Sequence, residues 1–389
     1  MKITGVESVV VNAVIRNWVF VKVVTDQPGL HGWGEATVEL KTRAVTGCIE
    51  DLAPMLIGED PGRIAHLVRK LTVQSFWPLG VIGNAALSGI EQALWDLKGK
   101  ELGVPVWQLL GGRVRDRIEV YTHLYRGEVA AQRRATTADA IIEGAVETLR
   151  LGYKAIKLGI FPPVHYTVDG SALAELSRTA ARLREAVGAD VQLMYDIHGR
   201  SESEDAAIAL IDAVAASRPL FVEEPIQPGD NAAMRRIRDA VRVPLATGER
   251  LIHQKEFFDL ARSAAVVLAQ PDPCRVGGIM NVMKIAAIVE AAGMGVALHN
   301  PLGPVCGAVC QHLDAVLVNA TLQEEARGVV PWYDDVVDHE MVLADGAWPI
   351  PRRPGLGVDV NMDQARKHPF KQEEIPAPLR HTDGTLLFA

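Results

Sequence analysis

Cysteine is scarce in this chain. The 389 residues contain four, Cys48, Cys274, Cys306 and Cys310, with none of the CxxC pairs that make a zinc site. Cys306 and Cys310, four apart in GPVCGAVCQHL, suit packing on one helix face better than metal binding. So few thiols fit a reducing cytoplasm. No apolar run approaches the ~18 uncharged residues that span a bilayer. The apolar N-terminal stretch is broken by Asn12, Arg16, Asn17 and Lys22, and it alternates as strands do instead of forming a signal core. Positive charge is not in surplus either. Lys and Arg number 40 against 48 Asp and Glu, a net charge of −8, which leaves no general attraction for nucleic acid or an anionic membrane.

What is present is length and a recurring polar punctuation. A chain of 389 residues suits a barrel of about 250 residues with an added domain. Between Asp196 and Glu325, short apolar runs each end on a charged or imidazole group. VQLMYDIHGR carries Asp196 and His198, RPLFVEEP Glu223 and Glu224, VPLATGER Glu249, VVLAQPD Asp272, GVALHN His299, and AVLVNATLQEE Glu324 and Glu325. They recur about every 25 residues, the length of one strand, loop, helix and loop. Such runs predict parallel strands buried on both faces. Closed into a (β/α) barrel, they bring these side chains to the C-terminal mouth, where barrel active sites lie. Any one of them is equally well explained as a helix cap or surface charge. Six in phase are not. Asp196 and His198, two apart, are expected on one side of an extended segment.

Upstream, residues 2–12, 18–24 and 29–36 alternate and predict an antiparallel sheet, and 83–102 predicts a helix stopped by Gly103 and Pro105. An α+β domain over 1–112 therefore precedes the barrel, with its boundary in LLGGRVRD. The barrel opens with RIEVYTHL (117–124) and KAIKLGI (154–160), runs over 113–348, and leaves a segment, 349–389, that is expected to pack back on the first domain. Helices are expected at 138–151 and 171–187. The long loop FPPVHYTVDG (161–170) is placed to cover part of the mouth.

Three carboxylates on successive strand ends, Asp196, Glu223 and Glu249, would repel one another unless a cation sits between them. Oxygen ligands alone suit a hard ion such as Mg²⁺. The competing reading pairs these acids with Arg200, Arg250 and Lys157 as structural salt bridges. Asp272 and His299, on adjacent strand ends, suggest an oriented imidazole base. With His198 across the mouth, one histidine can remove a proton and the other deliver one, an arrangement suited to elimination.

In order and context (DIHGR, VEEP, TGER, QPD, HNPLGP, LQEE) these residues resemble the enolase superfamily. Within it they are most similar to the mandelate racemase subgroup and its sugar-acid dehydratases of the D-galactonate type. The likeness extends to WGEA, ALWDLKGK and PVWQLLGG near the N-terminus. It implies an α+β cap over a (β/α)7β barrel, with Mg²⁺ on Asp196, Glu223 and Glu249. It implies also that His299, oriented by Asp272, takes the proton α to the substrate carboxylate, giving an enediolate that Mg²⁺ stabilises. Glu324, protonated, would bond the substrate carboxylate, and His198 would protonate the departing 3-hydroxyl. The partners implied are a small sugar acid and, by analogy alone, further copies of the chain.

The chain departs from this pattern at two points. The second lysine of a Lys-x-Lys pair is replaced in Lys157-Leu158-Gly159, which disfavours two-base racemisation and leaves Lys157 as a cation near the substrate carboxylate. Gly199 stands where D-mannonate dehydratases carry a second histidine. An epimerase or cycloisomerase using His299 with Lys157 or His198, and a catalytically weak homologue, stay open. For substrate contact the candidates are Arg16, Trp18 and His123, with Glu249 shared with the metal. Asn17, Trp77 and Pro78 lie in segments that could close over it.

Overall fold

The computed structural model describes residues 1–124, 137–373, 380 and 384–386. Three antiparallel strands, β1 (Ile3–Asn12), β2 (Asn17–Thr25) and β3 (His31–Glu35), form the first sheet in the order β1-β2-β3. Helices α1 (Thr42–Leu52), α2 (Ile64–Val73) and α3 (Gly80–Leu102) cover it. α3 is buried through most of its length and ends on Gly103 in the left-handed conformation, φ 69°, as a glycine stop requires. β3 lies so close to α3 that a Cβ at Gly34 would meet the Gly89 carbonyl at 2.0 Å. Only glycine permits that approach.

After a short helix, α4 (Val106–Leu109), eight parallel strands follow: β4 (Arg117–His123), β5 (Ala155–Leu158), β6 (Gln192–Asp196), β7 (Phe221–Glu223), β8 (Leu245–Thr247), β9 (Leu268–Ala269), β10 (Gly295–Val296) and β11 (Gln323–Glu325). They pair in chain order from β4 to β10, and β11 pairs with β4. A bridge from Val296 to Ala320 joins β10 to the approach of β11 and closes the ring. Among the described residues seven helices run between them: α5 (Ala138–Arg150), α6 (Gly170–Val187), α7 (Glu204–Ala215), α8 (Asn231–Ala240), α9 (Gln254–Ser263), α10 (Ile279–Glu290) and α11 (Pro304–Val316). The architecture is the expected (β/α)7β barrel under an α+β cap. Inside the ring Tyr121, Ala155, Met194, Phe221, Ala246, Leu268 and Leu322 form one apolar layer, the floor beneath the mouth. Cys306 and Cys310 are buried on α11. No helix among the described residues is long and apolar enough to cross a membrane.

Cap and barrel are joined by buried carboxylates placed on helix N-termini. Glu35, at the end of β3, accepts from the Gly303 and Cys306 amides at the start of α11, at 2.8 and 2.9 Å. Glu91, on α3, accepts from the Ile279 and Met280 amides of α10 at 2.7 and 2.9 Å, and from the Trp95 indole. Each satisfies donors that a helix leaves unpaired at its first turn, at its positive end. Burial pushes both carboxyls up to about 7 against the pull of these donors. Chain 347–373 closes the assembly. β13 (Ala347–Pro349) pairs antiparallel with the start of β4, and β14 (Asp359–Val360) with β12 (Val337–Asp338). Asp359 accepts from the Trp33 indole at 2.8 Å. Glu373 accepts from the Asn17 amide and the Thr42 hydroxyl, both at 3.0 Å, and from the Leu40 amide.

Two stability predictions follow from these contacts. Glu91→Ala strands two buried amides and an indole N–H at about 1–3 kcal/mol each, so the melting midpoint should fall by at least about 5 °C. An unchanged midpoint would mean that α3 does not hold α10 through this side chain. His312 accepts the Trp107 amide at Nδ1, 3.1 Å, and burial pushes its pKa from 6.5 to about 4. Its contribution is complete above the ordinary value and drains as pH falls through about 4, about 3 kcal/mol in all. Wild type should therefore lose more melting temperature between pH 7 and 4 than His312→Asn. Equal losses would sink the assignment.

Candidate active site

Around the ring, the strand ends deliver His123 (β4), Lys157 (β5), Asp196 and then His198 (β6), Glu223 (β7), Glu249 (β8), Asp272 (β9), His299 (β10) and Glu324 (β11) to one mouth. Glu249, Asp272 and His299 lie two or three residues beyond their short strands, yet they converge with the rest. Lys157 is at the centre of one half. Its Nζ is 2.6 Å from Glu223 Oε2, 2.8 Å from Glu324 Oε1 and 3.2 Å from Asp196 Oδ2, and 5.7 Å from the Tyr121 ring centre. In the other half His299 Nδ1 bonds Asp272 Oδ2 at 2.8 Å, and its Nε2 lies 2.8 Å from Glu249 Oε2. His198 Nε2 is 3.1 Å from Asp196 Oδ2.

Burial opposes every charge here, and the partners decide the outcome. Glu223 is pushed well above the usual carboxylate range by burial and then by Asp196, despite Lys157. Lys157 resists burial through Glu223 and Glu324 and stays an ammonium. His299 likewise overcomes burial through Glu249 and Glu324 and is held as an imidazolium. Glu249 and Glu324 are held well below their ordinary values against burial, the first by His299 and the second by Lys157. Glu324, expected protonated, is therefore ionised in this structure. It accepts the Asn300 amide at 2.8 Å and lies 2.6 Å from His123 Nε2.

The salt-bridge reading of these acids also has a physical basis. Lys157 pairs with Asp196 and Glu223, and Arg250 with Glu224 at 2.8 Å. The pairing still leaves Glu223 Oε1 buried without a hydrogen-bond partner. Asp196, His198 and Glu249 also present ligand atoms within 4.8 Å of one another. A hard cation satisfies such oxygens.

Several residues are placed differently from the sequence reading. His198 reaches the site but not from an extended segment: β6 ends at Asp196, and His198 turns back at φ 55°. Trp18 is buried at 1% exposure against Phe20 and Tyr333, so its ring packs in the core and is not presented to a substrate. Asn17 is likewise buried, bonded to Glu373. Arg16 reaches Glu39, which also pairs with Arg275. Trp77 is exposed, edge-on to Phe76. Gly199, at φ 61°, explains the missing second histidine. A Cβ there would meet the Arg250 guanidinium at 2.5 Å and Gln227 Nε2 at 3.0 Å.

Two residues were not foreseen. Arg275 is buried, with Nε 3.2 Å from Asp272 Oδ2 and Nη2 2.5 Å from Glu39 Oε2. Glu39 would be pushed up by burial, but Arg275 and Arg16 hold it down to about 2. A signal existed for Arg275, three residues beyond Asp272 in QPDPCR. Glu39 follows no strand or helix pattern.

A capped (β/α)7β barrel with an acidic cluster and a His–Asp pair at its mouth defines an enolase-type protein. Residues 140–365 match the enolase C-terminal domain-like family and 8–111 the mandelate racemase/muconate lactonizing enzyme N-terminal domain. The chain belongs to the mandelate racemase/muconate lactonizing enzyme family. It is 36% identical over 377 residues to D-galactonate dehydratase of Cronobacter sakazakii, covering 95% of this chain and 96% of that one. Identity to D-galactonate dehydratase of Xanthomonas oryzae is 35%, over 95% and 96%. Among solved structures, an enolase from Agrobacterium radiobacter with sodium and L-malate bound superposes with a TM-score of 0.88 at 31% identity, over 100% of both chains. A mandelate racemase/muconate lactonizing enzyme from Sulfitobacter gives 0.88 at 33%, over 95% and 96%.

Removing the central ammonium should expose the repulsion it masks. In chelator, Lys157→Met should melt about 5 °C below wild type, and a divalent cation should recover more of that loss than it adds to wild type. Equal shifts in both proteins would show that lysine and cation do not share these oxygens.

Proposed function

We propose that this chain catalyses the Mg²⁺-dependent dehydration of a sugar acid, an aldonate such as D-galactonate or D-gluconate, to a 2-keto-3-deoxy acid. One observation carries the reading. His198 and His299 follow β6 and β10, four strands apart in a ring of eight, so the two imidazoles reach the acidic cluster from opposite sides of the mouth. The dehydratase relatives support it at the level of reaction class.

Asp196, Glu223 and Glu249 would hold the cation; their oxygens and the unpartnered Glu223 Oε1 fit a hard ion. When bound, Mg²⁺ supplies the positive charge that makes the carbon next to the substrate carboxylate acidic. His299 removes that α-proton at Nε2, with Nδ1 fixed by Asp272. As a base it must be neutral, so Glu249 must release it. The fit is consistent on this point, because Glu249 cannot serve His299 and a cation with the same oxygen. Lys157 is the ammonium nearest the substrate carboxylate. Glu324 can donate to that carboxylate only after taking up a proton. His198 delivers a proton to the 3-hydroxyl as it leaves. The enol product then tautomerises. Lys157, locked among three carboxylates, is a poor second base, which disfavours an epimerase or cycloisomerase that would pair it with His299.

Purified protein with Mg²⁺ should convert one member of an aldonic and aldaric acid library to a semicarbazide-reactive product, and EDTA should abolish this. His299→Asn should lose α-proton exchange in D₂O by at least about 10³-fold. His198→Asn should keep exchange while losing dehydration. Dehydration by His198→Asn at the wild-type rate would remove His198 as the acid.

A further inference from the structure

The Asp272–His299 pair does not stand alone. Asp272 Oδ2 has two claimants: His299 Nδ1 at 2.8 Å and Arg275 Nε at 3.2 Å. Arg275 Nε has no hydrogen-bond partner of acceptable geometry, so it lies beside Oδ2 without being aimed at it. Its other end explains why. Nη2 is bonded to Glu39 Oε2 at 2.5 Å, and Glu39 Oε1 is taken by Arg16 of the β1–β2 turn. Glu39 and Arg16 belong to the cap, Arg275 and Asp272 to the barrel. The cap end is itself fixed, since Glu373 binds the amides of Asn17 and Leu40, the residues next to Arg16 and Glu39.

We infer that Glu39 and Arg275 form a positioning latch, in which Glu39 draws the Arg275 guanidinium aside so that Asp272 Oδ2 remains with His299. Two charged donors on one carboxylate oxygen compete for it, and an arginine fork engages a carboxylate more strongly than a single imidazole N–H does. Without Glu39, Arg275 swings onto Asp272, and His299 loses the bond that orients it. Neither residue is a catalytic residue; Arg275 acts through Asp272, and Glu39 acts through Arg275. Because Arg16 shares Glu39, the orientation of His299 depends on the placement of the cap turn.

A suppressor relationship follows that ordinary structural roles do not produce. Glu39→Gln should slow α-proton exchange at least about tenfold with little change in KM, and Glu39→Gln/Arg275→Met should recover most of that loss. This kinetic arm rests on the proposed dehydratase reading. A second arm does not: the downfield proton resonance of the His299 Nδ1–H bond to Asp272, assigned by its absence in His299→Asn, is read in the free protein. It should shift or broaden in Glu39→Gln and return in the double variant. Return of the resonance with no exchange on any sugar acid would uphold the latch and overturn the dehydratase reading. A double variant that melts as wild type yet stays as impaired as Glu39→Gln in both arms would overturn the latch.

Discussion

Everything at the mouth of this barrel depends on compensating buried negative charge. Parallel strands of one barrel end side by side, so acids placed at their ends are forced together in a region from which water is largely excluded. Asp196, Glu223, Glu249, Asp272 and Glu324 are all buried, against one lysine, Arg275 and the imidazoles. Lys157 answers three of them at once, and His299 is shared between two. The site is therefore a balance in which Lys157, Glu223, Glu249, His299 and Glu324 are all moved from their ordinary proton affinities. Such balances mark places where chemistry outranks stability.

The same economy joins the two layers of the molecule. Glu35 and Glu91 leave water to satisfy the first turns of α11 and α10, the helices entered from the loops that carry His299 and Asp272. Gln92 adds a bond from α3 to the Pro273 carbonyl at 3.0 Å. The cap is thus fastened to the barrel beside the base and its partner, and this register allows Glu39 to reach Arg275.

Much of this was legible in the chain. Strand-end acids recur with the period of a βα unit, so the barrel and its mouth followed from spacing, and the capping sheet from alternation. Contacts between distant segments were not legible. Trp18 sits on a β-rich segment beside a turn, and nothing local says whether its ring faces a substrate or Tyr333. His198 turns back because β6 stops at Asp196, a limit set by pairing with β7. A protonated Glu324 was implied by the family resemblance; what holds its carboxyl down is Lys157 and then His299, brought to it by closure of the ring. Arg275 and Glu39 are 236 residues apart, and only docking of the cap reveals their pairing.

Gly199 bears on how such a site can diversify. Its Cβ position is filled by the Arg250 guanidinium, which also holds Glu224 and the His198 carbonyl. A side chain gained at 199 collides with that arginine. Loss of the arginine first leaves Glu224, already pushed up to about 8 by burial, without its counter-charge. Single-step mutational routes to a side chain at this position thus pass through a destabilised intermediate.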